Sequence, residues 1–305
     1  MDIVIFIVSM GALIYGADFI IEQSEKIALH FDISPFVIGA TLVALGTSLP
    51  EMAVSMSASL QGSGDIAVAN VIGSTIFNIS LVLGVVFLIA KNINPTRDLF
   101  AKDSSWALFP ILIFILMGLD GVLNFIDGLL FLTLMGAYLM FLIQSDQVEE
   151  LDEPEDKDKF AWSKTSAILI VGFIFVVAGA NFAIESAGNI ARDFGISEWV
   201  IGLFLVAFGT SLPELVVSVK AALKNNADLA IGAIIGSNVA NFTMVLGLSS
   251  IVNPLNVDLG ANFFDIAAAF IVTLMLVFIT ANKLYNKSAG IVLMVVLGLV
   301  IQNSL

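Results

Sequence analysis

The chain of 305 residues has no cysteine and a single histidine. The first absence excludes disulfides and thiolate metal centres and leaves the redox compartment unreadable. Together the two argue against zinc, copper or iron sites, which favour sulfur and imidazole ligands. His30 stands in a polar connection and reads as an ordinary surface residue. Charge is scarce as well. Asp, Glu, Lys and Arg make up 12% of the chain, against ~25% in a soluble domain. The N-terminal stretch MDIVIFIVSM has an acid where a signal peptide has basic residues, and no small-residue cleavage site follows it. It reads as a retained first helix.

What the chain has instead is hydrophobic residues, 59% of the total. A membrane span needs roughly 20 predominantly apolar residues. On that rule spans are expected near 3–22, 35–60, 66–90, 105–119, 123–143, 165–187, 198–222, 228–252, 262–281 and 287–302. The runs are continuously apolar rather than alternating, which excludes a β-barrel. The expected fold is an all-α integral membrane protein of about ten transmembrane helices. The lipid bilayer is its surrounding. Neither a nucleic acid nor an obligate protein partner is called for.

The net charge is −14, and much of the acid lies in SDQVEELDEPEDKDKF, residues 145–160. A charge run of this kind reads as a solvated linker. A regulatory Ca²⁺ loop would need a D-x-[DN]-x-[DN]-G pattern that is missing here. The chain divides into a first repeat over 1–144, an acidic linker over 145–164 and a second repeat over 165–305. The division rests on an internal duplication. Glu214 follows Glu51, Ser237 follows Ser74 and Asn241 follows Asn78 by the same 163 residues. The alignment runs without gaps from Gly16–Gly84 onto Gly179–Gly247, with roughly half the pairs identical.

Five helices precede the linker, so the second half enters the membrane from the opposite side and the halves are inverted repeats. With the N-terminus outside, Lys26, Lys91, Arg97, Lys102, Lys157, Lys159, Lys164, Lys220, Lys224, Lys283 and Lys287 fall on the cytoplasmic side, and only Arg192 falls outside. That bias predicts both termini outside and a cytoplasmic linker.

The sequence GTSLPE occurs twice inside spans, at Gly46–Glu51 and Gly209–Glu214. Pro50 has no N–H for the carbonyl of Gly46, and Pro213 has none for Gly209. Broken helix is tolerated in a membrane only where protein, water or an ion satisfies the freed groups. An ionised acid near the bilayer centre costs roughly 2.5–3.5 kcal/mol on insertion scales. No basic residue shares the depth of Glu51 or Glu214, so a bound cation or a proton must offset them. Thr47 and Ser48 share the helix face of Glu51, as Thr210 and Ser211 share that of Glu214. In the next helix Ser74 and Asn78 are one turn apart, and Ser237 and Asn241 repeat them. Every group in this set is an oxygen donor, as hard cations require. Gly39, Gly46, Gly73 and Gly84, with their counterparts, are expected to let the helices approach closely.

GTSLPE followed by GSxxxN, in both halves of a five-plus-five helix chain, resembles the sodium/calcium exchanger family in its compact prokaryotic form. The resemblance covers nearly the whole chain. It implies a multi-pass protein of a prokaryotic cell membrane that exchanges Na⁺ for Ca²⁺ by alternating access and needs no cofactor beyond the transported ions. It implies four central ion sites. Glu51 and Glu214 would coordinate at the centre, with Ser48, Ser211, Ser74, Ser237 and backbone oxygens near Ala44, Thr47, Ala207 and Thr210. It also implies that the first and sixth spans slide to switch access. One position departs: archaeal members carry Asp where this chain has Asn241, leaving two central carboxylates rather than three.

Three other readings remain. A Ca²⁺/H⁺ antiporter would share the fold, with both glutamates carrying protons. A passive channel would not need inverted halves with broken helices. An intramembrane aspartyl protease would use the acids of GLDG (118–121) and IDG (126–128), but both sit around a short outer connection. No nucleophile and base pair is evident, so no enzyme is expected. Asp65 and Asp228, which also match across the repeat, read as helix N-caps.

Overall fold

The computed structural model describes residues 1–90, 93, 95–99, 103–146, 160–193 and 209–304. Helix α1 covers Asp2–Phe31. The second span is broken into α2 (Pro35–Thr47) and α3 (Leu49–Leu60), bent by 46° at Ser48. Helices α4 (Gly64–Ile89), α5 (Ser104–Met117), α6 (Phe125–Ser145) and α7 (Trp162–Asp193) follow. Then come α8 (Leu212–Leu223), α9 (Ala227–Val252), α10 (Phe263–Ala281) and α11 (Lys287–Ser304). These match nine of the expected spans. For the tenth, 198–222, only the second part lies within the described residues. Most of the acidic linker, with Lys157 and Lys159, also lies outside them, as do Lys91 and Lys102.

Among the described residues the one departure from helical elements is a ribbon of two short strands, β1 (Val122–Leu123) and β2 (Leu255–Asn256). It pairs Val122 with Asn256 and joins a connection of each half. The acids once weighed as protease residues have local roles here. Asp120 accepts from the Val122 N–H at 3.1 Å, and Asp127 closes a capping box with Asn124 at the start of α6.

Apolar side chains such as Ile7, Leu116, Ile143, Phe182, Phe278 and Val295 face outward, as a lipid-facing surface requires. Helix α9 is almost wholly buried and forms the centre. Its glycines set the spacing. A Cβ on Gly232 would stand 2.4 Å from the Phe36 carbonyl oxygen, and one on Gly236 would stand 2.3 Å from that of Ala40. Gly39 answers from α2, where a Cβ would stand 2.5 Å from the Leu229 oxygen. These small residues let α2 and α9 meet backbone to backbone. Gly46, Gly84, Gly209 and Gly247 also sit against neighbours, whereas Gly73 does not: nothing lies within 4 Å of its missing Cβ. It faces a cavity of about 310 Å³ between α4, α10 and α11.

Helices α1 and α7 pack on each other along their length, with Gly16 against Gly172. The pair is joined at one end by Asn189 donating to Asp2 at 2.8 Å. Towards the other end Asp18 holds Lys220 at 2.5 Å and Lys224 at 3.0 Å, tying α1 to α8. At the connection after α4, Arg97 is buried against Asp103 at 2.6 Å, donates to Ser145 at 2.7 Å and lies over the Phe36 ring.

The N-cap readings of the two aspartates are corrected. Ser63 is the N-cap residue before α4, and Asn226 caps α9 by accepting from the Leu229 N–H. Asp228 instead accepts from the backbone of Thr96 and Arg97, fixing the connection after α4.

Candidate ion-binding site

Proline and serine make the break. Pro50 stands in the first turn of α3, where a missing N–H costs nothing to the new helix. Ser48 departs from helical geometry with ψ 7°, and Ser211 does the same with ψ 3° before Pro213. Across the first break, Ser48 N–H reaches Ala44 and Met52 N–H reaches Ser48. The break turns each mid-span glutamate into a first-turn glutamate. Glu51 opens α3 and Glu214 opens α8, where the helix dipole favours a negative charge.

The two acids converge. Glu51 is 0% exposed and Glu214 1% exposed, and they lie close enough to repel each other. The neighbours of Glu51 are the hydroxyls of Thr210 and Ser74. Yet neither of its carboxylate oxygens has a hydrogen bond of normal geometry. Glu214 Oε1 accepts from Ser48 at 3.1 Å and from Ser237 at 3.5 Å, while its Oε2 has no partner. Each half therefore lends hydroxyls to the other half's acid. The Ala44 carbonyl joins the group, accepting from Ser237 at 3.5 Å and from Thr47 at 3.2 Å. Thr210 and Ser74 meet at 3.4 Å. Ser211 is buried with its hydroxyl unpartnered.

Asn78 and Asn241 lie one turn beyond Ser74 and Ser237 and are fully buried. Each begins a π-helical turn, over Asn78–Leu83 and Asn241–Val245. Such single wide turns recur at functional sites. Two hydroxyls support them: Ser80 bonds the Ile76 carbonyl at 2.5 Å and Thr243 bonds that of Val239 at 2.6 Å. Both pairs are one helical turn apart and match across the repeat. Their small hydroxyls are the signal that the sequence reading passed over.

Eleven of the twelve expected site residues lie within the described residues around α2, α3, α4, α8 and α9; ten are buried and Thr210 is half-buried. The twelfth, Ala207, lies outside the described residues. The reading missed Asn70, whose amide donates to the Glu51 carbonyl at 3.2 Å and to Ser55 at 2.9 Å, pinning α3 to α4. Its position in the second half is Ala233, so no repeated motif marked it. Lys220 is engaged with Asp18, away from Glu214. Among the described residues no group of three or more His, Cys, Asp or Glu gathers to hold a metal. The cluster must therefore rely on neutral oxygens around two acids. Two buried acids with three of their four carboxylate oxygens unpartnered, at the starts of α3 and α8 inside a helical body with an apolar surface, define a membrane transporter of cations.

Comparison with known proteins then identifies the lineage: the chain belongs to the sodium/calcium exchanger protein family, whose model matches residues 1–144 and 164–304. An uncharacterised membrane protein of Methanocaldococcus jannaschii is 38% identical over 286 residues, 94% of this chain and 92% of its own length. The sodium/calcium exchanger MaX1 of Methanosarcina acetivorans is 30% identical, over 96% of this chain and 95% of its own. The solved structure of the sodium-calcium exchanger NCX_Mj soaked in 10 mM Na⁺ superposes with a TM-score of 0.84 at 35% identity, covering 99% of this chain and 98% of that one.

Proposed function

We propose that this chain is a secondary antiporter that exchanges Na⁺ for Ca²⁺ across a prokaryotic cell membrane, with the ions bound between Glu51 and Glu214. The observation that carries the reading is the set of carboxylate oxygens left unpartnered at full burial, Glu51 Oε1 and Oε2 and Glu214 Oε2. A buried charge is tolerated when it is paired or coordinates a cation, and no basic side chain is at hand. The donors around it are carboxylate, hydroxyl, amide and carbonyl oxygens, the set that Ca²⁺ and Na⁺ share. Ser48, Ser211, Ser74, Ser237, Thr47, Thr210, Asn78, Asn241 and the Ala44 carbonyl surround the ions, with Ala207 as the counterpart of Ala44.

Charge balance limits the cycle. One Ca²⁺ neutralises two carboxylates, and so do two Na⁺. A third Na⁺ leaves one excess charge, so three Na⁺ against one Ca²⁺ would carry one net charge. Such a charge couples to about 2.3 kcal/mol per 100 mV. In this reading both termini lie outside, the linker is cytoplasmic and the halves over 1–144 and 165–305 are inverted repeats; the bias of basic residues among the connections supports it.

The test is radiolabelled Ca²⁺ uptake into Na⁺-loaded proteoliposomes at fixed pH. Uptake that follows the outward Na⁺ gradient is the expected result. Uptake driven by a pH gradient alone would replace this reading with Ca²⁺/H⁺ exchange. Uptake without either gradient would replace it with a channel.

A further inference from the structure

A residue outside the expected ion set holds the amide of Asn78. Asn78 Nδ2 donates to Asn238 Oδ1 at 3.2 Å, between α4 and α9. Asn78 is fully buried and Asn238 is 2% exposed. The bond occupies the nitrogen end of the amide and leaves Asn78 Oδ1 without a partner. A buried carbonyl oxygen is expensive to leave bare, and a hard cation satisfies it. Asn78 stands one turn from Ser74 on the same helix face, and the Ser74 hydroxyl neighbours Glu51.

The second half has no equivalent device. The residue matching Asn238 is Thr75, whose hydroxyl turns back to the Val71 carbonyl of its own helix at 3.0 Å. Asn241, the match of Asn78, has neither amide atom partnered. Two amides related by the repeat are therefore prepared differently. One is tied to a partner amide, whose own Nδ2 is left unpartnered, and the other is tied to none.

We propose that Asn238 is a positioning residue that aims the Asn78 carbonyl oxygen at the transported ion. An amide that turns presents N–H₂, which repels a cation, for half its orientations. Fixing the oxygen end beforehand removes that ordering cost from ion binding. Turning both amides together would keep their mutual bond but face N–H₂ to the ion, so bound cation favours the arrangement described. The inference rests on the ion-site reading of Asn78 given above.

The test is Asn238→Thr, which installs the residue the first half already carries at the matching position. The variant is expected to remain monodisperse and to keep its maximal Na⁺-driven Ca²⁺ uptake within about twofold. Its half-saturating Ca²⁺ should rise roughly fivefold, the worth of one neutral hydrogen bond. Asn78→Ala should itself raise half-saturation, and adding Asn238→Thr to it should add nothing. An unchanged half-saturation in Asn238→Thr, or effects that multiply in the double variant, would overturn the positioning role while leaving Asn78 as a ligand. If Asn78→Ala leaves both the Ca²⁺ and the Na⁺ dependence unchanged, the ligand reading of Asn78 falls and this role falls with it. Should the Thr variant not fold, Asn238→Leu keeps the volume without the acceptor and is read the same way.

Discussion

Glu51 and Glu214 carry like charges into a site where five hydroxyls and a carbonyl are the nearest company. Replacing either by Gln removes half the central charge and leaves an amide facing a cation. Loss of an outer-shell partner alone typically costs 10–100-fold in metal affinity. Glu51→Gln and Glu214→Gln are each expected to weaken Ca²⁺ transport by about 100-fold or more, read as Na⁺-driven uptake at matched protein. Robust transport by either variant would end the assignment. Asn241→Asp adds a third carboxylate to a site whose balance now closes at two. It should fold, and its Ca²⁺ and Na⁺ half-saturation should both shift in equilibrium ion titrations. Unchanged values would place residue 241 outside contact with the ions. Both acids were legible in the sequence because the same motif appears twice. Asn70 and Asn238 were not, because Ala233 and Thr75 stand at the matching positions and symmetry gave no prompt.

At the scale of elements, the proline argument placed the breaks correctly but not their consequence. A proline read as breaking a helix also became the first turn of a new one, and so each glutamate gained a helix N-terminus. Spacing along a sequence does not reveal where a helix restarts, because that depends on which carbonyls find other partners. The same limit explains Asp228. Its place before an apolar run matched an N-cap, yet Asn226 took that role and Asp228 turned to the backbone of Thr96. Glycine contacts were legible as a pattern, but not one by one. Gly236→Ala should drive a methyl into the Ala40 carbonyl and cost about 1–3 kcal/mol, the usual range for overpacking. Gly73→Ala should be neutral or raise stability by up to about 1 kcal/mol, since a helix gains from the exchange where space is open. Thermal unfolding in detergent separates the two. Equal melting temperatures would show that α2 can retreat from α9.

For the whole molecule, apolar runs sufficed to place, in order, nine of the ten expected spans as helices among the described residues. The packing order did not follow from them. Nothing in the sequence marks α9 as the buried centre or α1 and α7 as a separate pair. Those facts depend on contacts between residues more than 150 positions apart, such as Gly16 with Gly172. The proposed orientation is open to a direct check, since the chain has no native cysteine to remove. A single cysteine at exposed Gln61 should react with a membrane-impermeant maleimide in intact cells. One at exposed Asn282 should react only after the membrane is opened. Reversed labelling would invert the topology.

Asp18 binds Lys220 and Lys224 where α1 meets α8. The repeat places Asn181, Ser57 and Gln61 at the related positions of the opposite face, so no like pairing of charges is available there. A transporter built from mirrored halves would rest equally in either posture if the halves were identical. A partly exposed ion pair adds up to about 1 kcal/mol, or a roughly fivefold tilt in resting occupancy toward the posture in which the pair is made. An empty carrier biased in that way waits mostly in one posture, and Asp18→Asn should level the odds.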